Sequence, residues 1–136
     1  MPSHDCIFCA ICAREMPAYI IHEDELFLAI VDRFPATPGH VLILPKRHAA
    51  SIFDLNEAES AALMPLAKRV AEKIQSTLNP MGLNLLQNNG KAAGQVVFHY
   101  HLHLIPRYEG DSFKFSHPHN DPPLSELEEM TGKLKF

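Results

Sequence analysis

His99, His101 and His103 alternate with apolar residues in the run VVFHYHLHLIP at positions 96–106. The run reads as a buried strand, and side chains alternate faces along a strand. All three imidazoles should therefore leave one face, with neighbours roughly 6.5–7 Å apart, twice the rise per residue. A neutral imidazole carries a lone pair on one ring nitrogen and a hydrogen on the other. A hydrophobic core has little use for three of them, since each unmet nitrogen costs free energy there. Three readings fit the row. His-x-His on a strand is a common spacing for a catalytic zinc. Alternatively, one histidine attacks a substrate covalently while another positions or protonates it. In the plainest case they are polar residues on an exposed face.

The lead-in to the row narrows this choice. Gly94-Gln95 precedes it directly, behind the loop Asn88-Asn89-Gly90-Lys91-Ala92-Ala93. Glycine-rich turns let backbone amides approach an anion, and an amide side chain can orient a phosphate oxygen. No carboxylate neighbours the histidines in sequence, whereas a metallohydrolase usually keeps one close as base or ligand. The segment is suited to receive negative charge, which favours phosphorus chemistry.

Cys6-Ile7-Phe8-Cys9, extended by Cys12, is a second candidate cluster. An iron–sulfur centre would want a fourth cysteine. A thioredoxin-type pair would follow a strand in a β-α-β unit, and none is apparent. Two cysteines with two distant histidines, His48 and His99, suit a structural zinc better. Two buried thiols are the simpler alternative, and Cys12 reads as a small apolar packer. His117-Pro118-His119 sits in a proline-rich tract and reads as solvated surface.

Several elements must position these residues. Residues 6–15 form a short helix ending before Pro17, and residues 25–31 a buried strand. Pro35, Pro38 and Gly39 mark a turn over 33–39. A second strand covers 40–45. Asp54 or Asn56 caps a long helix running to about Leu78, with Ala58, Ala62, Leu66, Val70 and Ile74 at helical spacing and a kink or break at Pro65. Residues 82–87 read as a third strand, ahead of the histidine strand at 96–106. No β-α-β repeat appears, so the pattern is an α+β fold on an antiparallel sheet. Residues 1–108 carry this domain. Residues 109–136 form a loosely packed tail with a weak helix signal at 125–130, to be ordered by a partner or substrate if at all.

The bulk properties agree with one globular domain: 136 residues, 46% hydrophobic and 21% charged. A net charge of −4 argues against nucleic acid as a partner. No apolar run approaches the ~20 residues that span a bilayer. The first five residues lack a secretory signal, and three cysteines make no disulfide framework, which points to the cytoplasm.

The run His99-Tyr100-His101-Leu102-His103-Leu104-Ile105 matches His-φ-His-φ-His-φ-φ, φ being apolar. In this the chain resembles the histidine triad (HIT) family. Gly94-Gln95, Asp32, Pro38-Gly39-His40 and Pro45-Lys46-Arg47-His48 also fall where that family has them, so the likeness extends over about 6–108. It is nearest to the bacterial purine nucleoside phosphoramidase-like branch. The resemblance implies an antiparallel sheet of about five strands with one long and one short helix, extended across a homodimer. It implies cleavage of a nucleoside monophosphate, AMP being expected, from a phosphoramidate, dinucleoside polyphosphate or similar leaving group. His101 would be the nucleophile. His103, His40 and backbone amides would meet the phosphoryl oxygens, and Gln95 the bridging or leaving atom. Asp32 would hold the ribose hydroxyls with help from Asn88 and Gly94, while Ile7, Phe8, Ile30 and Leu42 would enclose the base unless they are ordinary core. Cys6, Cys9, His48 and His99 would bind a structural zinc, no metal being needed for chemistry. Val96 departs from relatives that carry Ser or Thr there, and cannot help a leaving amine with a hydroxyl. The rival readings are a zinc-dependent hydrolase that uses the triad as its metal site and a nucleotide-binding scaffold with little turnover.

Overall fold

Two consecutive apolar strands buried on both faces organise the architecture. The computed structural model describes residues 5–136, so residues 1–4, and with them most of the segment read as lacking a signal, lie outside the description. In chain order the elements are helix α1 (Ile7–Cys12), strands β1 (Tyr19–Glu23), β2 (Phe27–Val31) and β3 (Val41–Pro45), helix α2 (Glu57–Leu78), strands β4 (Gly82–Leu86) and β5 (Leu102–Arg107), and helix α3 (Leu124–Leu134). The strands form one antiparallel sheet in the order β1-β2-β3-β5-β4.

Alternate residues of β2 and β3 serve opposite faces. Phe27, Ala29, Val41 and Ile43 pack with Leu63, Leu66, Val70 and Ile74 of α2. Leu28, Ile30, Leu42 and Leu44 pack with Phe8 and Ile11 of α1, and Cys12 joins them as the small apolar residue expected. Cover on both sides explains why these strands read as continuous apolar runs rather than alternating ones.

Helix α2 begins at a reciprocal cap. The Asn56 side chain accepts from the Glu59 amide, and the Glu59 carboxylate accepts from the Asn56 amide. It ends at Asn79 in the left-handed region (φ 47°), directly before Pro80. The break expected at Pro65 does not occur. Ala61, whose carbonyl loses its helical partner to the proline, lies with Pro65 on the exposed side, where water satisfies it.

Other expectations need correcting. Strand β1 is not foreshadowed, because its residues are mostly exposed and its register is interrupted between Ile20 and His22. The histidine strand is shorter than expected. Only residues from Leu102 onward join the ladder, while 96–101 run irregularly beside it. The Gln95 side chain causes this by drawing the chain into a turn, accepting from the Gly90 amide and donating to the Ala50 and Val97 carbonyls. The tail carries α3, longer than its signal suggested, and no residue of that helix is buried.

Candidate active site and metal centre

β5 places His103 opposite Leu42 of β3 and Leu86 of β4. On the same face His101 follows from the irregular segment, its ring 4.9 Å from that of His103 in an edge contact. Phe8 of α1 stands edge-on to both His101 and His99, at 5.0 and 5.8 Å. The row therefore keeps one face although only its last member belongs to a strand.

A carbonyl oxygen only accepts, so a ring nitrogen facing one carries the hydrogen. His101 Nδ1 lies 2.7 Å from the His99 carbonyl, which leaves Nε2 as a bare lone pair. The Ala36 amide donates to His40 Nδ1 at 2.9 Å, so the His40 hydrogen sits on Nε2. That nitrogen is 2.9 Å from His103 Nδ1 and 3.4 Å from Asp32 Oδ2. His103 accepts at Nδ1 and keeps its own hydrogen on Nε2. One nucleophilic lone pair and one N–H donor thus stand side by side on adjacent rings.

Burial keeps these rings neutral. It pushes His103 down to about 4, helped by neighbouring His101 and His40. It also lowers His101 against the opposing pull of its carbonyl bond and of Asp32, and lowers His40 against Asp32. His101 and His103 open into a cavity of about 620 Å³. Ile7, Phe8, Ile30, Leu42 and Asp32 line it, as the sequence suggested. Phe8, Ile30 and Leu42 belong to the packed core as well, so both readings of them hold. Asp32 divides its oxygens: Oδ1 accepts from the Phe34 amide, closing the turn, while Oδ2 faces His40.

Three expected site residues lie elsewhere. Gln95, Asn88 and Gly94 do not line this cavity. The Gln95 amide is occupied by three backbone groups. Asn88 Nδ2 faces the Gly94 carbonyl at 3.4 Å, and Gly94 takes φ 89°, a conformation that favours glycine. In this structure the three hold the loop behind the histidines. Conversely, sequence reasoning missed the Ala36 amide and the walls supplied by Arg33, Phe34 and Tyr19. The proline turn after Asp32 was the available signal for the first. Nothing in residue type marked the others.

The second cluster gathers Cys6, Cys9, His48 and His99, whose potential ligand atoms all lie within 4.8 Å of one another. His99 Nε2 donates to the Pro45 carbonyl at 2.7 Å, which turns its Nδ1 lone pair toward Cys6 Sγ at 3.3 Å and Cys9 Sγ at 3.5 Å. His48 Nδ1 is 3.2 Å from Cys9 Sγ. With Zn–S about 2.3 Å and Zn–N about 2.0–2.1 Å, a tetrahedral site has S···N edges near 3.6 Å. The observed separations are close to these, and both nitrogens present lone pairs, so the residues fit a zinc ion. Burial holds the fully enclosed His99 ring down at about 4, which keeps its lone pair available.

The triad is therefore divided. Among the described residues no candidate metal group joins all three histidines, and His101 belongs to none. The link between the two centres is covalent: the side chain of His99 faces the cysteines, and its carbonyl holds His101.

The HIT domain matches residues 13–110. A HIT family structure from Bacillus subtilis is similar with a TM-score of 0.88 and 35% identity, over 98% of this chain and 99% of that one. A zinc-bound histidine triad family protein from Mycobacterium smegmatis is 37% identical with a TM-score of 0.76, over 93% and 97% of the two chains. Adenylylsulfatase HINT3 of Arabidopsis thaliana is 40% identical over 108 residues, which is 79% of this chain and 55% of that one. Among the described residues, no helix is long and apolar enough to cross a membrane. With a triad motif, a five-stranded antiparallel sheet and these matches in agreement, the chain belongs to the HIT family, whose members bind nucleotides and include nucleotide hydrolases and transferases.

Proposed function

We propose that this protein cleaves a nucleoside monophosphate, AMP in the first instance, from a phosphoramidate or a related leaving group through a nucleotide bound covalently to His101. The observation that carries the reading is the fixed tautomer of His101: the His99 carbonyl holds Nδ1–H, so Nε2 faces the cavity as a nucleophile. Nε2 attacks phosphorus, the bond to the leaving amine breaks, and the amine departs with a proton from water. Water then hydrolyses the phosphorus–nitrogen bond and releases the nucleotide. His103 Nε2–H, oriented through His40, meets the charge on the phosphoryl oxygens. The base enters the apolar cavity, with Asp32 placed to accept from the ribose hydroxyls. Gln95, Gly94 and Asn88 support the loop that leads into the nucleophile. The relative called an adenylylsulfatase agrees with a nucleotidyl group as the part retained.

Cys6, Cys9, His48 and His99 hold a structural zinc in this reading. A closed four-ligand ion has no open position for water, so it acts by cross-linking the N-terminal segment to the sheet. The protein works as a cytoplasmic homodimer joined along the outer edge of β4, the edge strand next to β5.

Rapid-quench mass spectrometry with adenosine 5′-phosphoramidate, kept alkaline because phosphohistidine is acid-labile, tests the mechanism. An AMP adduct on His101 is expected. His101→Ala should bind nucleotide but not turn it over, and full activity in that variant would exclude His101 as nucleophile.

A further inference from the structure

Helix α3 lacks a place to bury its apolar side. Leu124, Leu127, Thr131 and Leu134 fall at i, i+3, i+7 and i+10, one face of the helix, with Met130 beside them. All are exposed. Eleven residues are too few for a stable helix in water without packing. Its first turns carry Glu126 and Glu128, neither in an ion pair among the described residues, and Glu129, which lies 3.3 Å from Lys133.

The same chain offers an unfilled cleft of the complementary kind. Beside the C-terminal half of α2, toward β1, a cavity of about 550 Å³ has Val31, Val41, Val70 and Ile74 in its depth, with the exposed Ile21 and Leu78 at its mouth. Arg69 and Lys73, one helical turn apart, line it as well, and neither forms an ion pair among the described residues. No carboxylate lines the cleft. Unpaired cations beside an apolar slot match unpaired carboxylates beside an apolar stripe.

In its own chain α3 stands clear of this cleft. The Bacillus subtilis match spans 98% of the chain, which leaves too few residues over to omit an eleven-residue helix, so the extended tail is retained there. We propose that α3 of one copy docks in the α2–β1 cleft of a second copy, with Leu124, Leu127 and Leu134 inward and Glu126 and Glu128 against Arg69 and Lys73. The exchange would tie two protomers together independently of any joining of sheets.

Zero-length carbodiimide coupling of the intact protein reads this directly. A Lys73–Glu126 or Lys73–Glu128 peptide is expected in the covalent dimer band. The same peptide found only in the monomer band would mean that α3 folds onto its own chain, and would overturn the proposal. Hydrogen exchange supplies a second readout. At concentrations where the dimer persists, α3 amides should exchange at least tenfold more slowly than in a peptide of residues 120–136. Glu126→Lys/Glu128→Lys, both exposed, should abolish that protection and the cross-link. Adding Arg69→Glu/Lys73→Glu should restore most of the protection. Free-peptide exchange rates in the unaltered protein, or failure of the charge swap to restore protection, would overturn the assignment. So would displacement of nothing but a bound anionic amphiphile from the cleft.

Discussion

His40 contributes to the reaction only through His103 if the hydrogen-bond chain operates as its geometry indicates, and a double-mutant cycle measures this. His40 is 4% exposed, accepts from the Ala36 amide and donates to His103 Nδ1 at 2.9 Å. His40→Ala removes the donor that fixes the His103 tautomer. A hydrogen bond between neutral groups is worth about 0.5–1.5 kcal/mol net, and an oriented donor at a developing oxyanion about 10²–10³ in rate. His40→Ala should therefore lose between about tenfold and a hundredfold in kcat/KM, and His103→Ala about 10²–10³. Independent contributions would multiply to at least about a thousandfold loss in the double variant. Dependent ones leave it within about threefold of His103→Ala alone, which is the expected result. The assay is steady-state release of AMP from adenosine 5′-phosphoramidate, run well below the melting temperature. His40→Ala also leaves the Ala36 amide without an acceptor, a cost of about 1–3 kcal/mol. At about 3.5 °C per kcal/mol for this chain length, Tm should fall by roughly 3–10 °C. A double variant ten or more times slower than His103→Ala would refute the serial arrangement.

Removing the metal should act on stability rather than chemistry. Zinc standing a thousandfold above its dissociation constant contributes about 4 kcal/mol, which corresponds to roughly 14 °C in Tm for a chain of this size. Chelation or Cys9→Ala should lower Tm by an amount of that order while kcat changes less than threefold; unchanged Tm and zinc content in Cys9→Ala would count against the site. The pH response follows from burial. His103 titrates near 4 in the fold, below the ordinary histidine value of about 6.5 in the unfolded chain, so only the unfolded chain takes up the proton between those values. Its share of stability is complete above about 6.5 and is lost as pH falls toward 4; thermal melts from pH 8 to 4 should show this slope, reduced in His103→Gln. Tyr100 is 1% exposed with a hydroxyl that has no hydrogen-bond partner, and burial pushes it up to about 12. Tyr100→Phe removes an unsatisfied polar atom, so Tm should stay level or rise by a few degrees, and a fall of more than 3 °C would show that the hydroxyl is satisfied in solution.

Much of the site was legible in residue type and spacing. The triad, the Cys-x2-Cys pair, His48, and Asp32 before its proline turn all announced themselves because their chemistry is local to the side chain. The elements that escaped notice depend on partners distant in sequence. β1 is a strand because it pairs with β2, and its exposed, bulged residues carry no apolar period. The histidine segment was read as too long a strand because the Gln95 side chain, not a pattern of apolar residues, decides where the ladder begins. Glu59 looks like an ordinary helix-capping acid in sequence. In the fold it is buried, paired with Arg47 at 2.7 Å, and close enough to lower its own acidity constant through His99.

The sequence by itself determined the fold class, the family and the kinds of group that do chemistry, since periodicity, turn residues and ligand types are properties of neighbouring positions. Tertiary structure alone decided how those groups are divided. It turned His99 toward two cysteines some 90 residues away, and used the carbonyl of the same residue to set the tautomer of His101. It also brought Asp32 and His40 to His103 across the sheet. A ring nitrogen is nucleophile, donor or ligand according to what its other nitrogen faces, and that partner is fixed by packing rather than by spacing along the chain.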